Sequence, residues 1–242
     1  MAKPGGGRRK PDAGPGRRGP REKVKTARGR KTSSTRWLER QLNDPYVNDA
    51  KAAGYRSRAA YKLAELDDRF SFLAPGRRVV DLGAAPGSWS QLSVERVRAG
   101  SAPGAAVLAV DRTDVDRIPG AGHLTLDLLD PDAAAKLRAA VGGLVDAVLS
   151  DMAAAATGHR QTDHLRTLAL CEAAFEVAIE LLVPGGAFVA KALQGGGENE
   201  FLARVKKRFT KVRFAKPHAS RKESSEVYLV ATGFRPAGPD AP

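Results

Sequence analysis

Short apolar runs alternate with longer amphipathic stretches through most of the chain. RVVDLG (78–83), AVLAVD (106–111), HLTLDL (123–128), VDAVLSD (145–151), AFVAKAL (187–193), KVRFAK (211–216) and EVYLVATGF (226–234) read as strands. Between them WSQLSVERVRA, PDAAAKLRAAV, HLRTLALCEAAFEVAIELL and NEFLARVKKRF carry helical spacing. Ahead of the first strand, residues 35–70 are also helical in pattern, with a break around residues 43–45. There Leu63, Leu66 and Phe70 fall on one face. Such alternation predicts an α/β fold, a mostly parallel seven-stranded sheet with helices on both faces. The last two strands are joined by a turn-sized link, so the final strand should run antiparallel to its neighbour. Ligands of such sheets sit beyond the carboxyl ends of the strands. The positions to question are therefore residues 81–87, Asp111, Asp127, Asp151 and Lys191.

Charge divides the chain differently. Its 242 residues carry a formal +13. Between Met1 and Arg36 stand 13 Lys/Arg against only Asp12 and Glu22, while the rest holds 27 basic and 25 acidic groups. The opening segment has almost no apolar residue before Val24 and cannot bury enough surface to order itself. Residues 1–34 are thus expected to form a disordered basic tail, 35–235 the folded domain and 236–242 a short carboxyl-terminal tail. A basic arm suits a polyanion, either nucleic acid or an anionic membrane, and is equally at home as a solubilising extension. It lacks the apolar core of a signal peptide, its Gly–Pro interruptions spoil the amphipathic helix of a transit peptide, and no 18-residue apolar run follows. One cysteine excludes a disulfide framework. The expected setting is the cytoplasm, without a membrane.

DLGAAPGSW fits neither familiar phosphate motif. A dinucleotide fingerprint needs a middle glycine that is missing here, and a P-loop needs a Gly-Lys-Ser/Thr run that is absent. Glycines at 83 and 87 let backbone approach a ligand closely. The carboxylates Asp81, Asp111, Asp127 and Asp151 would repel phosphate. They suit a cationic ligand with a ribose diol and an amino-bearing base, and S-adenosylmethionine has all three. Asp111 ends the second strand about where a ribose-binding acid sits in doubly wound nucleotide sites. A single strand-end aspartate is more often a cap or turn residue, but four at one edge are not.

The acceptor atom follows partly by exclusion. SDMAAAATG after the fourth strand lacks the Asp/Asn-Pro-Pro-aromatic run of amine methylases. Cys171, the one thiol available for attack on a pyrimidine carbon, lies on the apolar stripe Leu168, Cys171, Phe175, Ile179, Leu182. His123, His159, His164 and His218 show no metal-ligand spacing, so no metal is expected. An alcohol activated by a base remains. Lys191 interrupts an apolar strand next to the ligand edge, and serving as a base requires its pKa to be depressed towards roughly 7–8. The plainer reading is a strand-end lysine that reaches solvent.

Taken in order, RSRAAYKL, DLGAAPGSWSQ, SDMA, FVAKALQG and SSEVYLVATG resemble the FtsJ/RlmE family of ribosomal RNA 2′-O-ribose methyltransferases, from about Arg36 to Phe234. The resemblance implies a Rossmann-like class I fold dependent on S-adenosyl-L-methionine. It implies a catalytic set of Lys62, Asp151, Lys191 and Glu226, with cofactor contacts at Gly87, Trp89, Asp111, Asp127 and Asp151. It also implies a monomer acting on a uridine in the A-loop of large-subunit ribosomal RNA, on the assembled 50S subunit. Lys206, Lys207, Arg208, Lys211, Arg213, Lys216, Arg221 and Lys222, with Arg56 and Arg58, are candidates for the RNA path. Two departures stand out: Ser88 replaces a second glycine before Trp89, and Ala154 and Ala155 replace a Pro–Asn pair. Ser88 is tolerable where its φ is negative; the alanines loosen the loop that frames the target nucleotide. The rival readings are a tRNA or mitochondrial rRNA 2′-O-methyltransferase of the same fold, and a non-catalytic RNA-binding assembly factor.

Overall fold

The computed structural model describes residues 32–155, 157–193, 199–221 and 223–236. The described chain divides into two compact units, with the boundary between Asp49 and Ala50. In the first, helix α1 spans Thr32–Leu42, so residues 32–34 are helical, while 1–31 fall outside the described residues. α1 ends where Asn43 bonds back to the Glu39 carbonyl through both its backbone N–H and its side chain. Helix α2, Pro45–Ala52, starts there with Pro45 at its first position, where a missing N–H costs nothing. The break expected around residues 43–45 is present.

The second unit holds α3 (Ala59–Phe70), β1 (Arg78–Leu82), α4 (Ser88–Val97), β2 (Ala106–Asp111), β3 (Gly122–Thr125), α5 (Ala133–Val141) and β4 (Val145–Ser150). It continues with α6 (Arg160–Leu181), β5 (Leu182–Leu193), α7 (Asn199–Arg208), β6 (Phe209–Ala215) and β7 (Glu226–Phe234). The strands form one seven-stranded sheet in the order β3-β2-β1-β4-β5-β7-β6. All pairs from β3 to β5 are parallel; β7 runs antiparallel to both β5 and β6, between them. The expected fold class is therefore the observed one.

Strand periodicity explains the two layers. Val80, Leu82, Leu108, Val110, Val148 and Phe188 pack with α5, α6 and α7 into one core. Their chain neighbours Val79, Val107, Leu149, Val189, Tyr228 and Val230 pack with α3 and α4 into another. Both faces being covered, the central strands read as continuous apolar runs, not as alternating ones. Each large side chain so buried contributes about 1.5–3 kcal/mol of transfer free energy. Cys171 sits in the first core, and burial pushes its thiol up to about 12. Among the described residues no helix is long and apolar enough to cross a membrane.

Candidate active site

Four strands stop on one edge of this sheet, and their terminal residues open onto a pocket of about 650 Å³. Gly83, Ala85, Asp111, Asp127 and Asp151 line it, with Leu170 of α6 opposite. Asp111 ends β2 with its carboxylate already oriented. Oδ2 accepts the Ala85 N–H at 3.0 Å, and Oδ1 accepts the Thr113 N–H at 3.0 Å and hydroxyl at 2.9 Å. Burial would raise its pKa, but these donors outweigh it and hold the group below the usual carboxylate value. Oδ1 is thereby satisfied, and Oδ2 keeps a lone pair for a ligand hydroxyl. Asp127 lies two residues beyond β3, which stops at Thr125, and its Oδ1 accepts the Leu129 N–H at 3.0 Å.

Asp81 does not join that lining. It is fully buried, with Oδ2 accepting the Ser90 hydroxyl at 2.6 Å and Oδ1 lacking a partner. Burial, reinforced by Asp151 and Asp111, pushes its pKa to about 7 despite Ser90. The protein's own packing also requires both glycines. A Cβ on Gly83 would stand 2.3 Å from Met152 Cγ, and one on Gly87 would stand 2.6 Å from Arg56 Nη1. Gly87 caps α4 at φ 116°, a left-handed conformation that side chains resist. The space is filled by the protein itself. Ser88 is not among the described residues with positive φ and pairs its Oγ with that of Ser57 at 2.8 Å, so the first family departure is accommodated. Ala154 and Ala155 lie along the pocket wall.

Next to the pocket a chain of charges runs through the protein. Lys191 Nζ lies 2.9 Å from Asp151 Oδ1, 3.0 Å from the Asp151 carbonyl and 3.0 Å from Glu226 Oε1. Glu226 Oε2 is 3.1 Å from Lys62 Nζ. Side-chain exposures of 8 % for Lys191, 12 % for Lys62, 18 % for Asp151 and 21 % for Glu226 place the whole set at a partly desolvated surface. Sheet register assembles it. Lys191 of β5 stands opposite Tyr228 of β7, so both point to the α3 face, and Glu226, two residues earlier, shares that face. Lys62 arrives from α3.

Tyr228 is the member that sequence reasoning missed. Its hydroxyl donates to Asp151 Oδ1 at 2.6 Å, its ring packs 5.6 Å from Trp89, and Lys62 Nζ lies 5.8 Å from its centroid. Burial, then Asp151 and Glu226, push its pKa well above the ordinary tyrosine value. The signal was available, since strand alternation puts Tyr228 on the same face as Glu226. Trp89 is buried and does not line the pocket; its indole N–H donates to the Ala59 carbonyl at 2.9 Å.

The electrostatics correct one expectation. Burial pulls the Lys191 ammonium down, but the Asp151 and Glu226 carboxylates more than offset it, and its pKa is raised. A second cation, Lys62, is close by, but Glu226 stands between it and Lys191 and neutralises the repulsion that would depress the amine. Glu226 shows the reverse balance: burial would raise it, yet Lys191 and Lys62 hold it down at about 2.

The basic candidates separate. Arg56 donates to three backbone carbonyls and Arg58 to that of Ala219, so both are spent on the fold. Lys206, Lys207 and Arg208 precede Phe209, which pairs with Phe234, at the end of β7 remote from Glu226. At about 3.3 Å per residue those two ends lie roughly 25 Å apart. Lys216 follows β6 at the near end and bonds the Ser224 carbonyl at 2.7 Å; Lys222 lies outside the described residues.

A sheet of this order, with an acid-lined pocket at its parallel strand ends, defines a Rossmann-like methyltransferase. The chain belongs to the FtsJ-like methyltransferase family, whose sequence pattern matches residues 55–234. It is 58% identical over 227 residues to a ribosomal RNA large subunit methyltransferase E of Cereibacter sphaeroides, covering 92% of this chain and 93% of that one. It is 53% identical over 233 residues to a protein of that name from Granulibacter bethesdensis, with 96% and 98% covered. Among solved structures, a Plasmodium falciparum protein described as a ribosomal RNA methyltransferase superposes with a TM-score of 0.65 at 28% identity, over 74% of this chain and 98% of that one.

Proposed function

We propose that this protein transfers a methyl group from S-adenosylmethionine to the ribose 2′-oxygen of a uridine in large-subunit ribosomal RNA, in the A-loop and on the assembled 50S subunit. It acts as a monomer in the cytoplasm. The observation that carries the reading is the Lys62–Glu226–Lys191–Asp151 chain beside the acid-lined pocket. The relatives named for large-subunit RNA methylation match this chain over nearly its whole length and support the choice of substrate.

The pocket fits the cofactor on its own chemistry. Asp111, Asp127 and Asp151 outnumber Arg112 and Arg166 along its wall and accept hydroxyl and amino hydrogens, and Asp111 is held anionic with a lone pair to spare on Oδ2. S-adenosylmethionine supplies an electrophilic methyl group on a cationic sulfur, so no metal is required to activate it. Asp111 and Asp127 hold the ribose and base of the nucleoside moiety.

On the acceptor side Lys62 and Asp151 orient the ribose hydroxyl, and orientation provides much of the rate. Lys191 takes the hydroxyl proton in its neutral form. In the resting site that form is a minority, because Asp151 and Glu226 favour the ammonium. The carbon–sulfur bond breaks as the methyl ether forms, S-adenosylhomocysteine leaves as the neutral thioether, and the hydroxyl proton taken by Lys191 passes to solvent.

Labelled cofactor offered with tRNA, free ribosomal RNA and undermethylated large subunits, followed by digestion to nucleosides, tests the whole reading. Label should enter the large subunit as 2′-O-methyluridine, in a linkage resistant to alkali on its 3′ side. Label on a base refutes the chemistry. Label in tRNA moves the enzyme to the rival substrate, and binding without transfer makes it an assembly factor.

A further inference from the structure

Arg56 lies between α2 and α3, outside both the acids of the pocket and the lysine–carboxylate chain. Its Nη1 donates to the Pro86 carbonyl at 2.7 Å and to that of Asp116 at 2.9 Å, and its Nη2 donates to that of Arg117 at 2.8 Å. Pro86 belongs to the loop between β1 and α4, whereas Asp116 and Arg117 belong to the connection from β2 to β3. The same two segments supply pocket walls, Gly83 and Ala85 from the first, Asp111 and Arg112 from the start of the second.

The surroundings are built for this placement. Arg56 N–H donates to Gln91 Oε1 at 2.9 Å, and Gln91 Nε2 returns a bond to the Gly54 carbonyl at 3.1 Å. The Ser57–Ser88 hydroxyl pair and the Trp89–Ala59 bond continue the seam along the first turn of α4. Gly87 gives the guanidinium its room, since a Cβ there would also meet Ile118 Cδ1 at 2.7 Å. A planar fork with several fixed donors can reach carbonyls from two loops at once, which a lysine ammonium cannot do with the same geometry. Surface loops left to themselves are the mobile parts of a fold.

We propose that Arg56 is a positioning residue for the cofactor pocket: its guanidinium sets the spacing between the β1–α4 loop and the β2–β3 connection. The proposal rests on the reading of that pocket as the S-adenosylmethionine site. Without the fork the two walls separate and cofactor affinity falls. The saturated rate survives, because Lys62, Asp151, Lys191 and Glu226 take no bond from Arg56.

The test compares the full-length protein with Arg56→Ala and Arg56→Lys, by calorimetry with S-adenosylmethionine and by steady-state kinetics on large subunits. In Arg56→Ala the cofactor Kd and KM should rise about 10–50-fold, as expected for loss of charge-assisted hydrogen bonds. The saturating kcat should stay within about threefold and its pH profile should not move. Arg56→Lys should recover only part of the affinity, and its KM shift decides the matter if Arg56→Ala does not fold. Cofactor affinity within twofold of wild type in both variants overturns the proposal. So does a fall in kcat or active fraction at unchanged KM, the signature of a merely structural arginine. A wild-type protein that binds no S-adenosylmethionine would instead refute the pocket assignment, and this proposal with it.

Discussion

In the parallel half of the sheet, from β3 to β5, the ligand-facing positions are set by backbone. Asp111 is fixed by N–H groups of its own turn and of the neighbouring loop, and Gly83 and Gly87 are where the protein packs on itself. At the antiparallel margin, β7 brings side chains from distant parts of the sequence into one charge chain, and Lys62 and Glu226 meet across 164 residues. The geometry of the first region is local and exists before any ligand arrives. The second is a balance of two cations and two anions in contact, in which Lys191 and Glu226 each hold the other in its charged form. Damage to the first should therefore appear in affinity, and damage to the second in turnover.

Lys191→Ala gives the largest expected effect. Turnover should fall about 10²–10⁴-fold, the usual loss with a general base, while cofactor affinity stays within threefold and the protein still folds. Lys191→Arg should fail equally, because guanidinium keeps its proton. The raised pKa of Lys191 sharpens the test. Below that pKa the neutral fraction grows about tenfold per pH unit, so wild-type turnover should climb accordingly between about pH 7 and 9. A flat profile, or an active Lys191→Arg enzyme, would reassign the lysine to charge stabilisation alone.

Asp111→Ala probes the other region and should act in the opposite column. Losing an acceptor for a ligand hydroxyl is worth about 1.5–3 kcal/mol when the acceptor is charged, or roughly 10- to 150-fold in cofactor Kd. The saturated rate should change little. Calorimetry showing unchanged affinity would remove Asp111 from the site.

The smallest effect is on stability. Glu226 has a folded value of about 2 against an ordinary 4.5. Its contribution is therefore present above about pH 4.5 and lost as pH falls towards 2. Glu226→Gln should lower Tm by about 5 °C at pH 7, with the difference from wild type closing across that acid window. A difference that stays constant down to pH 2 would mean that the carboxylate charge does not contribute.

These two regions were not equally readable in the sequence. The strands, the helices between them and the edge at which Asp111, Asp127 and Asp151 emerge all follow from local periodicity and strand ends. The pairing of Lys62 with Glu226 does not, because nothing near either residue distinguishes it from a surface charge; only the family resemblance brought them together. The direction of the Lys191 shift was also out of reach. It depends on which oxygens of Asp151 and Glu226 face the amine, a tertiary fact. The carbonyl partners of Arg56, which was named among the RNA-path candidates, are likewise a tertiary fact that no local pattern shows. Tyr228 was within reach of simple alternation.

The position of β7 has a consequence for the order in which the enzyme comes into being. Synthesis delivers Lys62, Asp151 and Lys191 first, and β6 next, yet the strand that belongs between β5 and β6 emerges after all of them. Until Glu226–Phe234 has left the ribosome, β5 and β6 have no common partner and Lys191 lacks one of its two carboxylates. A nascent chain therefore carries a nearly complete pocket but no balanced charge chain. The charge chain is thus completed only by the last strand to be made.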